Sequence, residues 1–316
     1  MVSTLTSTTQ GVKPNAAIAN LDTQKDIELL SAIDKLNDQI ISNPFLADQE
    51  GELAVGIAKR CDLSRISFSA RQWLLDTMDR MRHHPDGEFA NQVAYSISEN
   101  LAPFQRQLKT NSGEFSDKLL KILRDSPPTA HSPSPYFEAN LFIEHLLGIR
   151  DQPMLLGGES RTGQPNVPTR ASFIPDLVNV AQLSAQDTFF DIGSGSGQVI
   201  MLMSLFTPAR IVGVEIDPEI AGISKALIAR NQLERISVNV LDAQQADLSE
   251  GSVFFMNAPF FGTPMRVVME KLSELAAQKE IRVILHGPFD IRDFHSNTLI
   301  PINEKTSLFH TFKSRN

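Results

Sequence analysis

An α/β fold, with a doubly wound parallel sheet in the second half of the chain and an all-α domain before it, is predicted by three features of this 316-residue sequence. From Ser172 onward, short apolar segments alternate with helical ones. Strand–helix–strand repetition with short connections builds a parallel sheet covered on both faces. The first of those strands runs directly into the alternating glycines Gly193, Gly195 and Gly197. Before Arg124, by contrast, apolar residues recur at helical steps.

In chain order, residues 1–20 are rich in Ser and Thr and lack a charged segment followed by an apolar one, so they read as a disordered tail and not a leader. Residues 21–125 read as a helical domain. Ile27, Leu30, Ile33, Leu36 and Ile40 fall on one helical face. Asn43-Pro44 ends that run, because proline lacks a donor and restricts the residue before it. Further helices are expected over Glu52–Arg60, Ser69–Arg82, Glu88–Leu108 with a break near Pro103, and Ser116–Leu123. Residues 126–171 form a connector and loop. Ser126–Pro135 carries four prolines in ten residues and is too stiff for a helix or an inner strand. A short helix over Tyr136–Leu147 follows, then a Gly/Pro-rich loop over Gly157–Pro168.

Residues 172–316 hold the sheet. Strands are expected at Thr188–Ile192, Arg210–Ile216, Ile236–Leu241, Ser252–Met256 and Ile281–His286, with helices at Gly197–Phe206, Pro218–Asn231 and Thr263–Gln278 between them. Thr298–Asn303 and Thr306–Lys313 read as an antiparallel pair at the sheet edge.

Composition narrows the function classes. There are 29 basic against 37 acidic side chains, a net charge of −8, and neither half of the chain is basic. The electrostatic footprint of a general nucleic-acid binder is therefore missing. No apolar run is long enough to span a membrane, which points to a cytoplasmic protein. The single cysteine, Cys61, excludes an internal disulfide framework and any multi-cysteine zinc site. His83-His84 reads as a solvated helix end, so no metal site is expected.

The chemistry concentrates at the ends of the strands. Phe189-Phe-Asp191-Ile-Gly193-Ser194-Gly195-Ser-Gly197-Gln198 places a glycine turn after a buried strand, where the backbone can approach a ligand. Glu215 ends the second strand in Val212-Gly-Val-Glu215-Ile216-Asp217-Pro218, placed to accept hydrogen bonds from both hydroxyls of a ribose. Asp242, followed by Ala243, ends the third strand, where an acid suits the amino edge of an adenine or caps the following turn. A ribose and an adenine make a nucleoside, supplied by either NAD or S-adenosylmethionine. The turn departs from Gly-x-Gly-x-x-Gly, since the sixth position is Gln198. The fourth strand leads to Asn257-Ala-Pro259-Phe260, which suits a flat substrate better than a nicotinamide.

With these motifs, residues from about 165 to 316 resemble the class I S-adenosylmethionine-dependent methyltransferases. The motifs that carry the resemblance are Phe190–Gly197, Gly213–Asp217, Leu241-Asp242 and Phe255–Phe260. It implies a Rossmann-like seven-stranded methyltransferase sheet and S-adenosylmethionine as the cofactor. Asp191 and Gly193, Ser194, Gly195 and Gly197 would line its methionine portion, Glu215 and Ile216 its ribose, and Asp242 and Ala243 its adenine, with Asn257 beside the acceptor. Asn257 is also similar to the Asn-Pro-Pro-Tyr motif of amine and amide methyltransferases, although Ala258 replaces the first proline. A further resemblance, to the non-SET histone-lysine methyltransferases, rests on Gly197-Gln198-Val199, on Val253–Asn257 leading to Gly262, and on Pro288-Phe289.

Such transfer asks little of the protein, since orientation and exclusion of water supply most of the rate. Asn257 could align an acceptor or simply satisfy backbone groups at a turn. His286, Tyr136 and His145 are the candidate bases if the acceptor is protonated, each with an alternative as a packing residue. The expected reaction is methyl transfer to an O or N nucleophile, first of a small molecule and alternatively of a protein lysine. A non-catalytic S-adenosylmethionine-binding scaffold is the rival from another class. In that rival the helical domain recruits a partner, whereas in the enzyme it closes over the acceptor pocket or joins two copies as a homodimer.

Overall fold

The computed structural model describes residues 101–110, 113–124, 138–152, 169–257, 260, 262–287, 296–302 and 308–315. The expected tail, the helices before residue 101, Cys61, His83-His84, the proline-rich connector, the 153–168 loop, Tyr136, Ala258-Pro259 and Pro288-Phe289 lie outside the described residues. The chain divides into two compact units: Met1–Phe104 with Pro127–Phe142, and Gln105–Ser126 with Ile143–Asn316. In the first, Phe104 meets Phe142 edge-on at 5.6 Å between ring centroids.

The second unit carries a seven-stranded sheet. Its strands are β1 (Thr188–Ile192), β2 (Arg210–Glu215), β3 (Ile236–Val240), β4 (Val253–Asn257), β5 (Arg282–His286), β6 (Leu299–Ile302) and β7 (His310–Ser314). They lie in the order β3-β2-β1-β4-β5-β7-β6. The first five pair in parallel, and β7 runs antiparallel to both β5 and β6. This is the seven-stranded, Rossmann-like sheet that the motifs imply. Strands β1 to β5 fall within a residue of their expected limits. The last strand begins later than expected, at His310, and enters the sheet between β5 and β6.

The helices are α1 (Gly113–Arg124), α2 (Glu138–Leu147), α3 (Ile174–Ala181), α4 (Gln198–Phe206), α5 (Pro218–Arg230) and α6 (Thr263–Ala276). Both faces of the central strands are apolar, as a parallel sheet covered on each side requires. Phe189 stacks with Phe255 at 6.3 Å on one face, and Phe190 meets Phe254 at 5.5 Å on the other. Helix α6 closes the second face through Met265, Val268, Met269 and Leu272, spaced at three and four residues. Helix α4 has no polar stripe, and Gln198 to Leu205 are all buried. A helix apolar all round needs cover on every side. The sheet supplies one side, and α1 and α3 pack on the others. That requirement places α1 in the unit of the sheet.

Two arginines join helix ends to the sheet. Arg282 on β5 donates to the carbonyls of Val180 (2.7 Å) and Ala181 (2.9 Å), the unpaired end of α3. Arg235 does the same for Ser204 and Thr207 at the end of α4. Residues 101–110 are helical across Pro103, where a break was expected, with Leu101, Phe104 and Leu108 buried at i, i+3 and i+7. Among the described residues, no helix is long and apolar enough to cross a membrane.

Candidate active site

The carboxyl ends of the parallel strands hold every described residue that the motifs single out. At the end of β1 the chain reverses at once, because the amides of Gly193 and Ser194 both donate to the Val214 carbonyl, at 2.8 and 3.0 Å. The reversal takes Gly193, Gly195 and Gly197 to φ of 86°, 54° and 87°. These are left-handed values that only glycine adopts without cost. The turn sits tightly on β2: a Cβ at Gly213 would lie 2.7 Å from the Ser194 hydroxyl.

Glu215 is buried, and its carboxylate organises the turn. One oxygen accepts the Gly195 amide at 2.8 Å and the other the Asp217 amide at 2.9 Å. A carboxylate oxygen has two acceptor sites, so each keeps capacity for a further donor such as a ribose hydroxyl. Asp217 then caps α5, accepting from the amides of Glu219 and Ile220. Ile216 and Val240 are the exposed large apolar side chains among the described residues, and they stand at the ends of neighbouring strands. Asp242 caps a one-turn 3-10 helix over Ala243–Gln245, accepting the Gln244 amide at 2.8 Å and its side chain at 3.0 Å. The capping alternative is thus realised, and the partly exposed carboxylate retains acceptor sites.

Asp191 is buried beneath the turn. Burial first, and the nearby charge of Glu215 second, push its carboxyl up to about 8. In the unfolded chain an aspartate ionises near 4. Between those values the folded form holds the extra proton, so stability falls as pH rises through the window and levels off above it. Asp191→Asn, uncharged throughout, should be more stable than the wild type in urea. The gap should widen from pH 5 to about 2 kcal/mol or more at pH 8. A gap independent of pH would contradict the assignment.

Asn257, at the end of β4, donates from Nδ2 to the Thr169 hydroxyl at 2.9 Å. Gln198, at the start of α4, donates from Nε2 to the Thr169 carbonyl at 2.8 Å. A single residue, Thr169 in the segment leading to α3, therefore orients both amides. Thr169 carried no motif of its own, and it is joined to Asn257 across 88 residues of sequence. His286 is the register partner of Asn257 on β5. Its Nδ1 meets the Leu308 carbonyl at 2.7 Å, and its ring lies against Phe173 at 4.9 Å and Phe309 at 5.5 Å. Phe173 in turn lies under the Arg170 guanidinium at 5.3 Å. His145 is placed elsewhere. It lies near the end of α2, where Leu147 accepts from Asn231 just past α5, on the amino-terminal side of the strands.

The fit of S-adenosylmethionine to these residues can be tested on the turn itself. Three of its residues are left-handed glycines, which carry no side chain to hold a ligand off the backbone. The buried Ser194 hydroxyl and Gln198 Oε1 have no hydrogen-bond partner among the described residues. Unsatisfied buried polar atoms are costly, and a polar ligand or water satisfies them. The Glu215 carboxylate and the exposed Ile216 complete a polar-then-apolar path that suits a methionine, ribose and adenine in that order.

Residues 168–260 match the family model described as histone methylation protein DOT1. A protein-lysine N-methyltransferase of Saccharolobus islandicus is 28% identical over 149 residues, covering 46% of this chain and 89% of that protein. A histone-lysine N-methyltransferase of Dictyostelium discoideum, specific for H3 lysine-79, is 24% identical over 121 residues, 34% of this chain and 7% of that much longer protein. Among solved structures, an RNA methyltransferase from Salinibacter ruber in complex with S-adenosyl-L-homocysteine has a TM-score of 0.36 and 22% identity. It covers 47% of this chain and 92% of that one.

Proposed function

We propose that this class I S-adenosylmethionine-dependent methyltransferase transfers its methyl group to the side-chain amine of a protein lysine. The observation that carries this reading is the continuous family match over residues 168–260, which runs from Thr169 through the glycine turn, Glu215 and Asp242 to Asn257. Both curated relatives named above are protein-lysine methyltransferases. The net charge of −8 complements a lysine-bearing partner.

In this reading Asp191, Gly193, Ser194, Gly195 and Gly197 hold the methionine end, Glu215 and Ile216 the ribose, and Asp242 with Ala243 the adenine. When bound, S-adenosylmethionine supplies a methyl group on a sulfonium sulfur, already a strong electrophile. The protein's share is alignment and dryness. Asn257, held by Thr169, positions the amine through its amide. Phe173 and Phe260 keep water from the approach.

The test is transfer from S-adenosylmethionine with a deuterated methyl group to three separate pools: DNA-free lysine-rich proteins, a deproteinised small-molecule extract, and RNA. The expected outcome is label on lysine Nζ in the first pool, located by peptide mass spectrometry. Label confined to the small-molecule pool would replace the protein acceptor with the small-molecule one expected from the sequence.

A further inference from the structure

We infer that His286 is the proton acceptor for the amine, a role that rests on the amine-acceptor reading above. A lysine amine is protonated at neutral pH and has no lone pair to offer until one proton leaves. The structure places one imidazole where that proton can go. His286 ends β5 and Asn257 ends β4, and the two are register partners in a parallel pair, so their side chains share one face of the sheet. Phe255, two residues before Asn257, pairs with Asp191, two residues before the glycine turn. Across the sheet the order is therefore cofactor turn, amide, imidazole. At one strand spacing per step, about 10 Å separates β1 from β5, room for an acceptor side chain between.

The tautomer of His286 is set by its partner. A carbonyl only accepts, so the 2.7 Å contact with Leu308 makes Nδ1 the donor and leaves the lone pair on Nε2. Phe173 and Phe309 hold the ring edge-on from two sides. Thr169, four residues before Phe173, holds Asn257, so the same short segment sets both groups. Among the described residues, the charged or titratable side chains on the adjoining segments include Arg170, whose guanidinium is spread over Phe173, the exposed His310 and Lys313 on β7, Arg282 on β5, Asp176 on α3 and Asp191 on β1. Among the described residues, His286 is the titratable group in register with Asn257, which sets it beside that amide.

The step balances. An N–H bond of the ammonium breaks, and its proton passes to His286 Nε2, giving an imidazolium. The freed lone pair on nitrogen forms the bond to the methyl carbon, and the sulfur–carbon electron pair returns to sulfur. The imidazolium then releases its proton to solvent, so one proton leaves per methyl transferred.

His286→Asn is the discriminating variant, because the Asn amide places an N–H where Nδ1 stood and keeps the Leu308 bond without a base. Three readouts are taken on the full chain, with mixed core histones freed of DNA and spermidine as amine probes. The variant should keep S-adenosylhomocysteine affinity within about twofold and keep its thermal midpoint. It should lose roughly 100-fold in kcat at pH 7, the size of a general-base contribution, and lose the acidic limb of the wild-type pH–rate profile. In ¹⁵N spectra of the histidine-labelled wild type, the His286 signal should show a protonated Nδ1 and a bare Nε2. Transfer by the wild type with an unchanged pH profile in His286→Asn overturns the role of His286 and leaves the amine reading standing. So does the opposite tautomer. No transfer to either probe by the wild type overturns the amine reading and this role with it.

Discussion

Glu215→Ala should weaken S-adenosylhomocysteine binding by roughly 100- to 1000-fold in calorimetric titration. Two losses combine. On the proposed reading the side chain removed accepts both ribose hydroxyls, and each charge-assisted bond is worth about 1.5–3 kcal/mol. Every 1.4 kcal/mol or so is a factor of ten in affinity. The same carboxylate holds the Gly195 amide at 2.8 Å and the Asp217 amide at 2.9 Å, so its removal also releases the turn that faces the methionine end. Glu215→Gln separates the two effects. Its carbonyl oxygen can still accept one amide, while its NH2 group cannot accept from a hydroxyl, so an intermediate loss of about tenfold is expected. Removing the charge of Glu215 also relieves Asp191, the acid it pushes upward. The variants should therefore remain folded, and a lost thermal midpoint would mark the result as one of stability. Wild-type affinity in Glu215→Ala would remove this residue from the site.

Gly197→Ala should destabilise the second unit by about 3 kcal/mol, from two separable costs. At φ 87° an alanine occupies a region that costs L-residues roughly 1–2 kcal/mol. The added Cβ would also meet the Ser224 hydroxyl in less than van der Waals contact, with the Ser224 Cβ itself at 3.3 Å. Ser224 is fully buried on α5 and its hydroxyl has no partner among the described residues. Ser224→Ala alone should thus be neutral or slightly stabilising, since an unsatisfied buried hydroxyl is removed. In the double variant, Ser224→Ala should recover the steric part and leave the backbone part. A double-mutant cycle in urea checks this: a coupling of about 1 kcal/mol or more is expected, and strict additivity would contradict the contact.

The parts of this site legible in the sequence are those whose geometry is local. Asp191, the three glycines, Glu215 and Asp242 each lie at the carboxyl end of a short apolar strand, and in a parallel sheet such ends converge on one edge. The pattern of strand, turn and acid therefore carried the sheet and the edge at which these residues converge. Asp242 shows the limit within a single segment, because the spacing that suits an adenine also suits a cap, and the cap is what the backbone forms. The acceptor side is not local. Thr169 reaches Gln198 across 29 residues and Asn257 across 88, and His286 is tied to Leu308 across 22. No periodicity joins such residues, and an isolated Thr or Phe before a helix is ordinary. The membership of α1 in the sheet unit was hidden for a related reason. It follows from the all-apolar surface of α4 needing cover, a demand that appears only once α4 is placed against the sheet.

The central claim is that the turn from Gly193 to Gly197, with Glu215 and Asp242, holds the adenosyl cofactor of a methyltransferase and not a nicotinamide dinucleotide. Calorimetric titration of the wild-type chain with S-adenosylhomocysteine, with NAD as the parallel ligand, tests it most directly. One-to-one binding of S-adenosylhomocysteine in the micromolar range, with no heat from NAD, is the result this account predicts. Binding of NAD in its place, or of neither ligand, would contradict it.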